Sequence, residues 1–420
     1  MKLLCVLLAG ALAAMSETPA TNYDESKVGS YTLPDPLVFT HGRPVRTAAD
    51  WPGRRAELVD LFQRNVYGHR PSPPPALDYE ITERDGQALD GAAIRKQVTI
   101  WFSRDRDAKE DLLLYLPANA HGPVPVVLSL NFTGNHTVID DRGIHLPMVW
   151  DERTHERHRA LAATRGSSTQ FQVRETLARG YGFATIYYQD IAPDFKGGKQ
   201  YGLRALFPDV DWGAIGAWAY GLSRAMDYLE KDPGVDAHRV AVMGHSRLGK
   251  TALWAGALDQ RFAMVISNCP GEGGASLSRR NYGETIADLV RVFPYWFTPA
   301  YARYAADPNT LPIDAHELIA LIAPRPVYVT GAEEDQWADP LGEFLACVAA
   351  GPVYRLLGAQ DLGAHQMPPL NQPIMHTMGF HYRTGKHDVT AFDWEQFLKF
   401  ADLHLRAQAQ SGTTSAKASR

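Results

Sequence analysis

The chain has 420 residues, 45% hydrophobic and 21% charged, with a net charge of -5 and no long basic run. This is a globular balance, and it excludes nucleic acid as the main partner. A chain of this length can bury a large core, so neither a metal nor a disulfide is needed to hold the fold. Residues 1–20 read as a secretory leader. Lys2 gives the positive start, residues 3–14 are an apolar run too short to span a bilayer comfortably, and small-residue cleavage regions lie at 11–13 and 18–20. No later stretch is apolar enough to span a membrane, so the expectation is a secreted or periplasmic protein without a membrane partner. Cys5 would leave with the leader, and Cys269 and Cys347 read as buried thiols rather than a disulfide framework.

Residues 21–36 predict an extended polar arm. Leu58, Leu61 and Phe62 predict a helix over 51–66, and 71–75 a stiff proline-rich linker. Antiparallel strands are expected at 77–82, 95–102 and 111–116. The continuous apolar run 124–130 predicts a strand buried on both faces. Helices at 171–179, 214–230 and 250–258 then alternate with strands at 183–188, 239–243 and 264–268. Further strands are expected at 326–330 and 353–357, before an amphipathic closing helix at 393–405 with Asp393 as its N-cap. Alternation of this length predicts an α/β fold: a mostly parallel central sheet in a three-layer sandwich, led by antiparallel strands. One catalytic domain with an N-terminal extension is expected over 21–407, and a disordered tail over 408–420. Ligands of such sheets bind beyond the carboxyl ends of the strands.

One of those ends is the strongest motif. The run Val240-Ala241-Val242-Met243 meets Gly244-His245-Ser246, and a helical pattern starts at once. A serine on such a turn stands proud of the sheet, with helix N–H groups aimed at it. The second glycine, Gly249, falls one residue later than in the general Gly-x-Ser-x-Gly motif, and a buried serine N-cap is the plain alternative. A serine hydroxyl needs a base, usually histidine held by a carboxylate, and in α/β-hydrolases the order is serine, acid, histidine. The strand at 326–330 runs into Glu333-Glu334-Asp335 and Asp339, and Glu272 follows the strand at 264–268. His365, His376, His381, His387 and His404 come later. Only His387 lies in a turn just before the closing helix. His155 and His158 lack a third ligand at metal-site spacing and read as surface residues, while the His245 side chain is expected to point away from the serine.

Gly244-His245-Ser246-Arg247-Leu248-Gly249-Lys250 resembles the Gly-x-Ser-Arg-x-Gly-Lys elbow of the glucuronoyl esterases, carbohydrate esterases of the α/β-hydrolase fold. Three further stretches resemble its bacterial branch: Gly273 to Arg280 with Gly283-Glu284, Leu321 to Pro326 with Glu333 to Pro340, and Gly385-Lys386-His387-Asp388. The resemblance spans about 124–405. It implies a serine esterase, free of cofactor and metal, that cleaves the ester between 4-O-methyl-glucuronic acid of glucuronoxylan and lignin alcohols. It implies Ser246 as nucleophile, His387 as base, Arg247 as oxyanion stabiliser, and Lys250, Glu284 and Trp337 as contacts to the glucuronate ring. Family members place the acid after either of two strands. One of those positions is Cys269 here, so Asp335 is expected to be the acid, with Glu272 as runner-up. Two cations at a helix N-terminus oppose its dipole, which favours a functional reason for Arg247 and Lys250. A monomer is expected. The alternatives are a serine esterase for another acyl group, such as an acetyl-xylan esterase, or a catalytically dead carbohydrate-binding homologue.

Overall fold

The computed structural model describes residues 21–71 and 78–406. The expected leader at 1–20, most of the proline-rich linker and the tail at 408–420 lie outside the described residues.

The strands are β1 (Asp78–Ala88), β2 (Ala93–Trp101), β3 (Lys109–Pro117), β4 (Val124–Asn131), β5 (Met148–Trp150), β6 (Arg157–Arg159), β7 (Gly182–Tyr187), β8 (Val235–His245), β9 (Met264–Asn268), β10 (Val327–Ala332), β11 (Ile374–Met375) and β12 (Met378–Arg383). Ten of them form one sheet in the order β1-β2-β3-β7-β4-β8-β9-β10-β12-β11, and β5 and β6 form a separate ribbon. β1, β2 and β3 pair antiparallel and join β7 antiparallel. From β7 to β12 all neighbours run parallel. The fold is thus the expected mixed, mostly parallel sheet, with the serine strand β8 near its middle.

Alternation along the strands explains the layers. Val240 and Val242 of β8 join one buried cluster with Leu112, Leu114, Val126 and Leu128. Ala241 and Met243 join a second with Leu113, Tyr115 and Val127. Successive side chains point to opposite faces, so a run apolar at every position must be covered on both sides. Helices Ala214–Leu229, Arg247–Leu258 and Pro340–Leu356 cover the first face with Trp218, Trp254 and Phe344. The closing helix Ala391–Ala401 covers the second with Trp394, Phe397 and Phe400. Each such side chain contributes about 1.5–3 kcal/mol of hydrophobic burial.

Two expectations are corrected. Residues 353–357 are not a strand: they end the helix Pro340–Leu356, which runs through Pro352. The edge of the parallel array is instead β12. Asp393 is not the N-cap of the closing helix. Thr390 is, and Asp393 stands three residues into the helix, closing a capping box with it. β1 also runs six residues further than its predicted end at 82.

Candidate active site

β8 ends at His245, and the helix Arg247–Leu258 begins one residue later. Ser246 carries the turn at φ 57° and ψ -128°, a conformation that costs a non-glycine residue about 1–3 kcal/mol. Its backbone N–H donates to the Asn268 carbonyl on β9 at 2.9 Å, which holds the turn against the sheet. Gly244 is needed because a Cβ there would lie 1.9 Å from the Leu248 carbonyl oxygen. A Cβ at Gly249 would lie 3.0 Å from Ser267 Oγ and 3.2 Å from the Asn268 carbonyl oxygen, so glycine lets the helix lie close on β9. Ser246 occupies the N-cap position, yet its side chain makes no cap hydrogen bond. The plain N-cap reading therefore does not account for this serine.

The hydroxyl opens into a cavity of about 230 Å³ lined by Arg247, Lys250, Glu284, Phe293, Trp296, Trp337 and His387. All six sequence-chosen residues besides Asp335 line it. Asp335 stands behind the imidazole: His387 Nδ1 lies 2.5 Å from Asp335 Oδ2, and Asp335 is only 5% exposed. Backbone bonds bring the two together. The Glu333 and Glu334 N–H groups donate to the carbonyls of Arg383 (2.8 Å) and Gly385 (3.0 Å), which lashes the acid loop after β10 to the histidine loop after β12.

The histidine loop is fixed on its far side as well. Arg383 Nη2 and Asn268 Nδ2 both donate to the Asp388 carbonyl, at 2.6 and 2.9 Å. Asp393 takes the Arg383 Nε–H at 2.9 Å and bonds His381 Nε2 at 2.8 Å, while its capping box sets where the loop enters the helix. His245 does not line the cavity beside Ser246 but packs under His387. It is buried with its ring 4.5 Å from that of His387, and its Nδ1 meets Asn268 Nδ2 at 2.9 Å. Burial, followed by the neighbouring His387, holds its pKa well below the usual histidine range, so it packs the base as a neutral ring.

Arg247 is clamped. Its Nη1 lies 2.5 Å from Asp194 Oδ2, and its guanidinium carbon stands 4.7 Å from the centre of the Trp296 ring. Trp296 Nε1 and Tyr188 Oη donate to the same Asp194 carboxylate, at 2.6 and 2.9 Å. Burial opposes the arginine's charge, but Asp194 outweighs it and holds the pKa above the usual range. Lys250 is nearly buried and donates to the Pro270 carbonyl (2.6 Å) and to Glu284 Oε2 (3.1 Å). Trp337 remains 39% exposed at the rim. Asp194 and Trp296 were not anticipated from the sequence. Asp194 was findable by the rule that pointed to Asp335, since it follows the carboxyl end of the buried strand β7. Trp296 carries no such signal.

Glu272, the runner-up acid, accepts hydrogen bonds from Ser278 Oγ (2.6 Å) and Tyr301 Oη (2.7 Å). Burial pushes its pKa up to about 8, so at neutral pH it is an uncharged acid and offers an imidazolium no counter-charge. Among the described residues, one trio has metal-like proximity: Cys269, Asp335 and His387, with ligand atoms within 4.8 Å of one another. Burial, then Glu343 and Asp335, raise the Cys269 pKa well above the thiol range. Metals bind the thiolate, so this trio is a poor metal site. Both remaining cysteines are buried and free, and His155 and His158 are exposed.

A family model described as "Glucuronyl esterase, fungi" matches residues 160–358. The chain is 48% identical over 406 residues to a carbohydrate esterase from an unknown prokaryotic organism, covering 93% of each. It is 27% identical to 4-O-methyl-glucuronoyl methylesterase 1 of Wolfiporia cocos, covering 84% of this chain and 76% of the relative. Its structure superposes on a glucuronoyl esterase from Solibacter usitatus with a TM-score of 0.87 at 50% identity, over 90% of this chain and 99% of that one.

Proposed function

Because the chain belongs to the glucuronoyl esterase family, we propose that it cleaves the ester between 4-O-methyl-glucuronic acid of glucuronoxylan and a lignin alcohol, through an acyl-enzyme on Ser246. It is a carboxylic ester hydrolase. The carrying observation is one cavity that holds a strained serine, an imidazole backed by a carboxylate, and a guanidinium beside them. His387 takes the Ser246 proton as the oxygen attacks the ester carbon. Asp335 fixes the Nδ1–H tautomer and stabilises the imidazolium that forms. Negative charge gathers on the carbonyl oxygen, where Arg247 and the first helix N–H groups stabilise it. Collapse expels the alcohol, which takes its proton from His387. Water then repeats the cycle and frees the uronic acid.

The sheet order gives the substrate a direction. Glu284 and Trp337 follow β9 and β10, on one side of β8. An esterified uronate carries no charge on its carboxyl group, so a paired, neutral Lys250–Glu284 suits it, donating to and accepting from ring hydroxyls. Trp337 offers a flat face for the sugar. β4 and β7, on the other side, lead to Trp150, Phe195 and Tyr201, whose ring centres lie 5.0–6.2 Å apart. That aromatic surface suits an aromatic leaving alcohol. No helix among the described residues is long and apolar enough to cross a membrane. The leader-like residues 1–20 support export, and we assign 21–407 to one catalytic domain acting as a monomer.

A panel of methyl and benzyl glucuronates, a benzyl galacturonate and an acetyl ester tests the substrate. Uronate esters are expected to exceed the acetyl ester in kcat/KM, and benzyl to exceed methyl glucuronate. A faster acetyl ester would discard the uronate assignment. Arg247→Ala is expected to lower kcat about 10²- to 10³-fold, the loss typical of an oxyanion donor, with little change in KM. Arg247→Lys should not recover it, because one ammonium cannot reproduce the stacked, Asp194-paired plane. Steady-state kinetics decide this, and an unchanged kcat removes Arg247 from the chemical step.

A further inference from the structure

We infer that the N-terminal arm belongs to the substrate site: Tyr23 forms the outer wall of the cavity mouth and stacks on the pyranose unit glycosidically linked to the uronic acid. This rests on the uronate-ester reading above and extends it from the esterified sugar to its neighbour.

The arm is tied to the site by backbone. Two consecutive N–H groups, of Gly283 and Glu284, donate to the carbonyls of Asn22 (2.9 Å) and Trp337 (2.7 Å). The strand of chain that carries Glu284 is thus held between the arm and the Trp337 turn. Only glycine fits at 283: its φ is +64°, and a Cβ would lie 2.4 Å from the Trp337 carbonyl oxygen. The arm is pinned on both sides of Tyr23. Asn22 Nδ2 donates to the Asn281 carbonyl at 3.3 Å. Glu25 accepts from Arg280 Nη2 at 2.6 Å, and Arg280 is itself anchored on Asp339 by Nε at 2.8 Å.

Between those pins, Tyr23 sets its ring edge-on to Tyr282, with centres 6.1 Å apart. Tyr282 Oη donates to Gln336 Oε1 at 2.7 Å, one residue before Trp337. Tyr23 is nevertheless 52% exposed and Trp337 39%. A single exposed aromatic is ordinary, but here Trp337 lines the small cavity and Tyr23 sits on the arm bonded to the segment that carries Glu284, so two exposed rings are available for stacking. The Tyr23 hydroxyl has a raised pKa, through partial burial and then the charges of Asp288 and Asp335. A cavity of about 230 Å³ accommodates the esterified sugar, so the next unit must lie at its mouth, where the apolar face of a pyranose can meet an aromatic ring.

The experiment compares kcat/KM for benzyl glucuronate with that for the same ester carried on a short xylo-oligosaccharide, using wild type, Tyr23→Ala and Tyr23→Phe. Wild type is expected to prefer the oligosaccharide ester. Tyr23→Ala should reduce that preference about three- to tenfold, the scale of an aromatic contact, mainly through KM, and Tyr23→Phe should keep it. An unchanged preference in Tyr23→Ala overturns the inference, and so does a loss in Tyr23→Phe equal to that in alanine, since the ring face would then not be the contact. A wild type that cleaves neither uronate ester defeats the parent reading instead, whereas one that cleaves both without preference defeats only this extension.

Discussion

Ser246→Ala is expected to abolish turnover, lowering kcat by about three to six orders of magnitude. Among the described residues, no other residue lining the cavity carries a hydroxyl, and the residual rate would come from the oxyanion site and binding alone. The variant should fold as well as the parent. Alanine meets the same backbone strain at φ 57°, and the serine side chain makes no cap hydrogen bond to lose. Thermal melting should therefore shift little while activity disappears. Covalent labelling by a fluorophosphonate should vanish with it. Retained labelling elsewhere in an active Ser246→Ala variant would move the nucleophile and end the acyl-enzyme scheme at this residue.

The second large effect is expected behind the base. Asp335→Asn should cost about 10²- to 10⁴-fold in kcat, because the amide removes the counter-charge of the imidazolium and disturbs its tautomer. Glu272→Gln should cost no more than about tenfold. Glu272 is uncharged at neutral pH, with a pKa pushed up to about 8 by burial, so glutamine nearly reproduces it. Parallel pH–rate profiles of the two variants make the comparison. A greater loss in Glu272→Gln than in Asp335→Asn would reverse the acid assignment.

The sheet was legible where burial forced an unmistakable pattern. Val240 to Met243 is apolar at every position and stops at glycine, which dictates both a doubly covered strand and a turn. β12 escaped notice because Met378–Arg383 carries His381 and Arg383, polar groups that are buried with Asp393 as their shared partner. That partner lies ten residues from Arg383 and twelve from His381, where no local periodicity can reveal it. Residues 353–357 misled for the converse reason: a short, largely apolar run at the end of a mostly buried helix looks like a strand, although Arg355 is exposed. At the site, chain order and strand ends pointed to Ser246, to His387 and to the carboxylates Glu333, Glu334, Asp335, Asp339 and Glu272, and the family resemblance narrowed the acid to Asp335. These cues could not show that Asp194 would reach back from β7 to clamp Arg247, nor that His245 would fold under His387, because both depend on how crossovers pack.

The Asp393 carboxylate joins three things at once: the start of the closing helix, the Arg383 that bridges to the Asp388 carbonyl, and the buried His381. The helix therefore works as a splint for the loop that carries His387. Trimming or fusing the C-terminus so that this splint unwinds would free the His387 loop and at the same time uncover the sheet face that Trp394, Phe397 and Phe400 bury. For anyone engineering the chain, the first turn of this helix ties the His387 loop to the core that the rest of the helix completes.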